Sequence, residues 1–104
     1  MSGPRRIVAV VPDLMDRSRL SAAGDGVEVR FVAAAALASV DDVDLVVVDV
    51  TREGVLDAVA AAGLAVPVVG FGPHVDDDLL SEAARAGCDR VLPRSRFFAR
   101  WPDV

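Results

Sequence analysis

The sequence predicts one α/β domain, in which five short strands alternate with five helical segments and the strands form a single parallel sheet. Two apolar runs, Ile7-Val8-Ala9-Val10-Val11 and Leu45-Val46-Val47-Val48-Asp49-Val50, are the first observation. They are too short for a membrane span and too unbroken for strands with one wet face. The second is the set of Ala- and Leu-bearing stretches between strands, closed by Gly24, Gly63 and Gly87 where a helix would stop. The third is length: 104 residues support one core, so residues 1–104 are read as a single domain.

The elements follow in order. Residues 7–11 form the first strand, ended by Pro12-Asp13. Residues 14–23 carry Leu14, Met15 and Leu20 at helical spacing, with Arg17 and Arg19 between them, and stop at Gly24. Val27-Glu28-Val29-Arg30-Phe31-Val32 begins with strict alternation, as a half-exposed strand does. Residues 33–39 are Ala-rich and read as a short helix. Residues 45–50 form the third strand. Residues 53–62 place Val55, Leu56 and Val59 on a helix that Gly63 ends. Residues 66–71 form the fourth strand, closed by Gly72-Pro73. Asp76 is placed to cap a helix holding Leu79, Leu80, Ala83 and Ala84, with Gly87 as its stop. Arg90-Val91-Leu92 is a short fifth strand. Ser95 is expected to cap a short last helix bearing Phe97, Phe98 and Trp101, ended by Pro102.

Strands separated by helices pair in parallel through right-handed crossovers. Strands one and three, apolar throughout, belong at the centre; the alternating second and the short fifth belong at the edges. The order is therefore 2-1-3-4-5, a flavodoxin-like three-layer sandwich with a short last helix. Its ligand crevice lies at the carboxyl ends of strands one and three. The sequence puts Pro12, Asp13, Asp49, Thr51 and Arg52 there, with Gly70, Gly72 and His74 from strand four and Arg94 from strand five.

Composition excludes several classes. The net charge of −5 argues against a sequence-blind nucleic-acid binder. No apolar run reaches membrane-span length, and the basic start Met1 to Arg6 precedes too short an apolar run for a signal peptide. A cytoplasmic location is the expectation, with no membrane partner. A single cysteine, Cys88, excludes a disulfide framework and reads as a small buried thiol. There is no Lys, Asn, Gln or Tyr, so an amine nucleophile or an amide oxyanion donor cannot come from a side chain. Gly70-Phe71-Gly72-Pro73 lacks the third glycine and the Lys-Ser/Thr of a phosphate loop, and Gly24-Asp25-Gly26 follows a helix instead of a strand. No nucleophile-base set is legible, and the chain is read as a non-enzyme without a bound cofactor.

Three segments resemble the receiver domain of bacterial two-component response regulators. Asp44-Leu45-Val46-Val47-Val48-Asp49 looks like the strand ending in that family's phospho-accepting aspartate. Residues 66–74 look like the strand leading to its switch Ser/Thr. Ala86-Gly87-Cys88-Asp89-Arg90-Val91-Leu92 looks like the run leading to its Lys-Pro. The resemblance covers nearly the whole chain up to Ser95 and implies that Asp49 is the phospho-acceptor position. The acidic pair after strand one is reduced to Asp13, with Pro12 beside it. The switch hydroxyl falls on Gly72, the switch aromatic on Val91, the lysine on Arg94 and the following proline on Ser95.

Phosphorylating a carboxylate calls for Mg²⁺ to neutralise phosphoryl oxygens, and Asp13 with Asp49 could supply two of its ligands. Two readings of each residue stand side by side. Asp49 is a nucleophile or Mg²⁺ ligand, or an acid paired with Arg94 or Arg52. Asp13 is a Mg²⁺ ligand, or the N-cap of the helix starting at Leu14. His74 is a ligand or base, or one exposed histidine ahead of the acidic helix start Asp76-Asp77-Asp78. Phe97, Phe98 and Trp101 cover the sheet, or form an interaction surface for a second copy or a partner. The leading reading is an atypical receiver, or pseudo-receiver, acting by homodimerisation or docking to a protein partner without the phosphorylation switch. The alternatives are a phospho-accepting receiver using Asp49 with Mg²⁺, and a small anionic-ligand binder using the Gly72–His74 loop and Arg94.

Overall fold

The structure is a computed structural model and describes residues 3–104, so the Met1 and Ser2 part of the basic start lies outside the described residues. The elements run β1 (Arg5–Val10), α1 (Leu14–Ser21), β2 (Val27–Phe31), a 3-10 helix (Ala34–Ser39), β3 (Leu45–Asp49), α2 (Val55–Ala62), β4 (Val68–Gly72), α3 (Asp77–Ala86), β5 (Arg90–Pro93) and α4 (Arg94–Arg100). The five strands form one sheet in the order β2-β1-β3-β4-β5, and every pairing is parallel. This is the flavodoxin-like three-layer arrangement that the apolar runs predict. The central strands β3 and β4 are buried along their whole length, while β2 alternates half-buried and exposed positions.

Alternation along the strands divides the core into two layers. Val8, Val10, Val46, Val48 and Val68 point to the side covered by the 3-10 helix, α2 and α3, where they meet Leu37, Val55, Val59 and Ala83. Ile7, Ala9, Leu45, Val47, Val69 and Phe71 point to the side covered by α1 and α4, where they meet Leu20 and Phe97. Gly70 is required in the first layer, because a Cβ there would collide with Cγ1 of Val50 crossing over β4.

Three sequence expectations are corrected. In α1 the buried residues are Asp16 and Leu20, one turn apart, whereas Leu14 and Met15 are exposed. The helix is rotated so that an acid occupies the core-facing position of its first turn. Ser95 does not cap the last helix: β5 runs directly into α4, Pro93 occupies the N-cap position without a side-chain cap bond, and Ser95 lies inside the first turn. Strand β4 begins at Val68 instead of residue 66, because Pro67 has no N–H to donate to the ladder; its carbonyl still accepts from the Val46 N–H at 3.0 Å. No helix among the described residues is long and apolar enough to cross a membrane.

Candidate functional site

The register brings the carboxyl ends of the strands together, pairing Val10 with Val48, Asp49 with Phe71 and Gly72 with Pro93. Asp49, the last residue of β3, is 3% exposed. The chain turns immediately after it, so its nearest partners are its own successors. Oδ1 accepts from the Thr51 N–H at 3.1 Å and from the Thr51 hydroxyl at 2.7 Å. Oδ2 accepts from Arg52 Nε at 3.2 Å, completing an ion pair. Of the two arginines that the sequence offers Asp49, the structure uses Arg52.

Asp13 caps α1: its Oδ1 accepts from the Asp16 N–H at 3.0 Å. That backbone hydrogen bond, more than the nearby Arg94 and Arg52, holds the Asp13 carboxyl below its ordinary value. Asp13 therefore occupies the helix-cap geometry of its two readings.

Arg94 goes elsewhere. Its Nη2 donates to Oδ1 of Asp16, a carboxylate with no solvent exposure, and its guanidinium lies 5.8 Å from the Phe98 ring centroid. The other Asp16 oxygen, Oδ2, is buried without a hydrogen-bond partner. Burial pushes the Asp16 carboxyl up; Arg94 opposes the shift, while the charges of Asp13 and Asp49 add to it. Sequence reading missed Asp16 because an acid beside Met15 and Arg17 looks like a solvent-facing position. The one available signal was its i,i+4 spacing to Leu20.

The Gly72 position is filled from the side. A Cβ there would lie 2.9 Å from Cγ2 of Thr51, the residue whose hydroxyl binds Asp49. A hydroxyl beside Asp49 thus comes from the β3–α2 turn, and the threonine carrying it covers Gly72. Val91 is half-buried against the α2–α3 layer, and His74 is exposed in the loop after β4. Gly72 pairs with Pro93, so Arg94 starts at the same edge as the Gly72–His74 loop, but its guanidinium is paired with Asp16. Among the described residues, no group of three or more His, Cys, Asp or Glu is arranged to hold a metal ion. Cys88 is buried, and burial pushes its thiol up to about 11, so it is protonated at neutral pH.

Phe97, Phe98 and Trp101 fold back onto the sheet. Phe97 is fully buried, with its ring centroid 4.8 Å from Phe71 and 5.7 Å from Trp101. It offers no surface to a partner, which corrects its place in the expected interaction surface: the seven-residue helix covers this side of the sheet by inserting Phe97 against Phe71. Phe98 and Trp101 stay half-buried. The Trp101 Nε1–H donates to the Leu20 carbonyl at 3.1 Å, tying the chain after α4 to α1.

No protein-family model and no curated protein matches this sequence. Solved structures do match in shape. A response regulator from Hahella chejuensis superposes with a TM-score of 0.77 at 21% identity, covering 96% of both chains. One from Thermotoga maritima gives 0.74 at 20%, covering 93% of both. The phosphorylated cyanobacterial phytochrome response regulator RcpA gives 0.71 at 16%, covering 94% of this chain and 86% of that one. At these identities the likeness is one of fold, and the fold is that of a receiver domain.

Proposed function

We propose that this receiver-type fold serves as a pseudo-receiver: a non-enzymatic signalling module that works by protein contact and does not run an aspartyl-phosphate switch. The observation that carries this reading is the closure of Asp49. Both carboxylate oxygens are held by the residues that follow it, Thr51 and Arg52. Attack on a phosphoryl group needs one oxygen free and a Mg²⁺ ion beside it. Mg²⁺ demands near-octahedral oxygen donors. Here Asp13 spends an oxygen on the α1 cap, Pro12 stands where a second acid would help, and the Arg52 cation already neutralises Asp49. This donor set does not fit the ion. The readout fails too, since Gly72 has no hydroxyl and Arg94 is anchored to Asp16.

The contact surface is assigned to α1 and α4: Leu14 and Met15 on α1 stand 76% and 71% exposed, and Phe98 of α4 and Trp101 at its end are half-buried. Exposed aliphatics of this size on a small domain favour a partner or a second copy. The test is incubation with acetyl phosphate and Mg²⁺, followed by intact-mass measurement. The reading expects no phosphoryl adduct on the chain; an adduct that disappears in Asp49→Ala assigns Asp49 as a working acceptor and contradicts it.

A further inference from the structure

Beside the closed Asp49, at the carboxyl ends of β1 and β2, lies a crevice of about 330 Å³. Its walls are mainly apolar, built from Val10, Pro12, Val32 and Val55, and its rim carries Arg17 from α1 and Arg52 from the β3–α2 turn. We propose that this crevice binds a small amphiphilic anion, a carboxylate or phosphate on a compact apolar body, with the head group between Arg17 and Arg52. The inference goes beyond the contact function and does not depend on it.

Three observations carry it. The first is charge: the lining has two arginines and no acid, in a chain with 16 acidic and 11 basic residues. The cavity near the start of β1 differs in this respect, because its own lining carries the acids Glu28, Asp41 and Asp42, whereas Asp49, the partner of Arg52, is not part of the crevice lining. The second is preorganisation. Arg17 Nε donates to the Val11 carbonyl at 2.7 Å and its guanidinium lies 5.1 Å from the Phe31 ring centroid. Arg52 Nε is fixed on Asp49 at 3.2 Å. Each arginine thus spends one donor on holding its head group in place, and a guanidinium has five. The third is position. The lining joins the ends of β1 and β2 to Arg52 of the β3–α2 turn and Val55 of α2, next to the β1–β3 switch point at which open α/β sheets take ligands. Its volume is at the small end of the ligand-pocket range of about 300–1,000 Å³, which sets the size of the apolar body to a single ring or a short branched chain.

The experiment is an amide NMR titration of the whole chain with phenyl phosphate and, separately, phenylacetate, with inorganic phosphate and phenol as the half-ligands. The expected result is saturable shifts at residues 10–12, 32–34 and 52–55 with one or both amphiphilic anions. Which of the two binds more tightly identifies the head group. Each half-ligand should bind about tenfold more weakly or worse, and Arg17→Met and Arg52→Met should each weaken binding by about tenfold or more, the effect of losing a charge-assisted hydrogen bond. Ala33→Trp, at an exposed position on the crevice edge, should block binding while keeping the native amide spectrum. Absence of saturation with both anions overturns the proposal. So does binding that inorganic phosphate matches, or that survives Ala33→Trp.

Discussion

Arg94 at the start of α4 donates to Asp16 in the first turn of α1, across 78 residues of sequence, and Asp16 has no exposure to solvent. The pair ties together the two helices that cover one side of the sheet. A buried carboxylate beside a part-exposed guanidinium costs desolvation, so the pair holds α1 and α4 in register more than it adds stability. Arg94→Met should therefore destabilise the fold by about 3–5 kcal/mol, because it strands a buried charge. The double variant Asp16→Leu/Arg94→Met should recover most or all of that loss. Urea unfolding of the two variants is the check.

Asp16 and Asp13 predict opposite pH dependences. The folded Asp16 carboxyl lies above its ordinary value of 3.8, so the native state holds more protons than the unfolded chain in the interval above that value. Its stabilising contribution is complete below 3.8 and is lost as pH rises through the folded value. Asp13 is lowered, so its contribution is present above 3.8 and is lost as pH falls through its folded value. Melting temperatures measured from acid to neutral pH should show Asp16→Asn removing the decline on the upper side and leaving the acid-side loss intact. Asp13→Ala should remove only the acid-side loss.

The contact between Gly72 and Thr51 predicts a non-additive pair. Gly72→Ala puts a Cβ against Thr51 Cγ2 at 2.9 Å and should cost about 1–3 kcal/mol by overpacking. Thr51→Ser deletes that methyl and keeps the hydroxyl on Asp49, so the double variant should cost less than Gly72→Ala alone. A double-mutant cycle by chemical denaturation measures the difference.

The aromatic cluster should separate core from tether. Phe97→Ala, at a fully buried ring packed on Phe71, should cost about 3–5 kcal/mol. Trp101→Phe keeps a ring over Phe97 but deletes the bond to the Leu20 carbonyl, and should cost about 1 kcal/mol. Denaturant midpoints of the two variants give both values.

The fold was legible because its signals are local. The runs at residues 7–11 and 45–50, apolar except for Asp49 at the strand end, identify central strands, and alternation at Val27–Phe31 identifies an edge, so the strand order follows. The site was legible only where partners are close in sequence: Asp49 with Arg52, one of its two candidate arginines, Asp13 with its own helix, Asp76 as the cap of α3; the Thr51 bonds to Asp49 were not read. Asp16 and Arg94 meet only because α1 and α4 share a side of the sheet, and no local pattern encodes that meeting. The exposure of Leu14 and Met15 was hidden for the same reason. Their helical spacing with Leu20 suggested a core stripe, but the rotation of α1 that buries Asp16 turns them to solvent.

On the proposed reading, the closure of Asp49 by its own neighbours, Thr51 and Arg52, sets this domain apart from a phospho-accepting one. Its most direct test is an amide NMR titration with millimolar Mg²⁺ followed by beryllofluoride, a mimic of an aspartyl phosphate. A closed site predicts no saturable shifts at Asp13, Asp49, Thr51, Arg52 or Arg94 with either addition. Saturable shifts at those residues, with beryllofluoride binding only in the presence of Mg²⁺, would mean that Thr51 and Arg52 yield to the ion and that the site accepts phosphate.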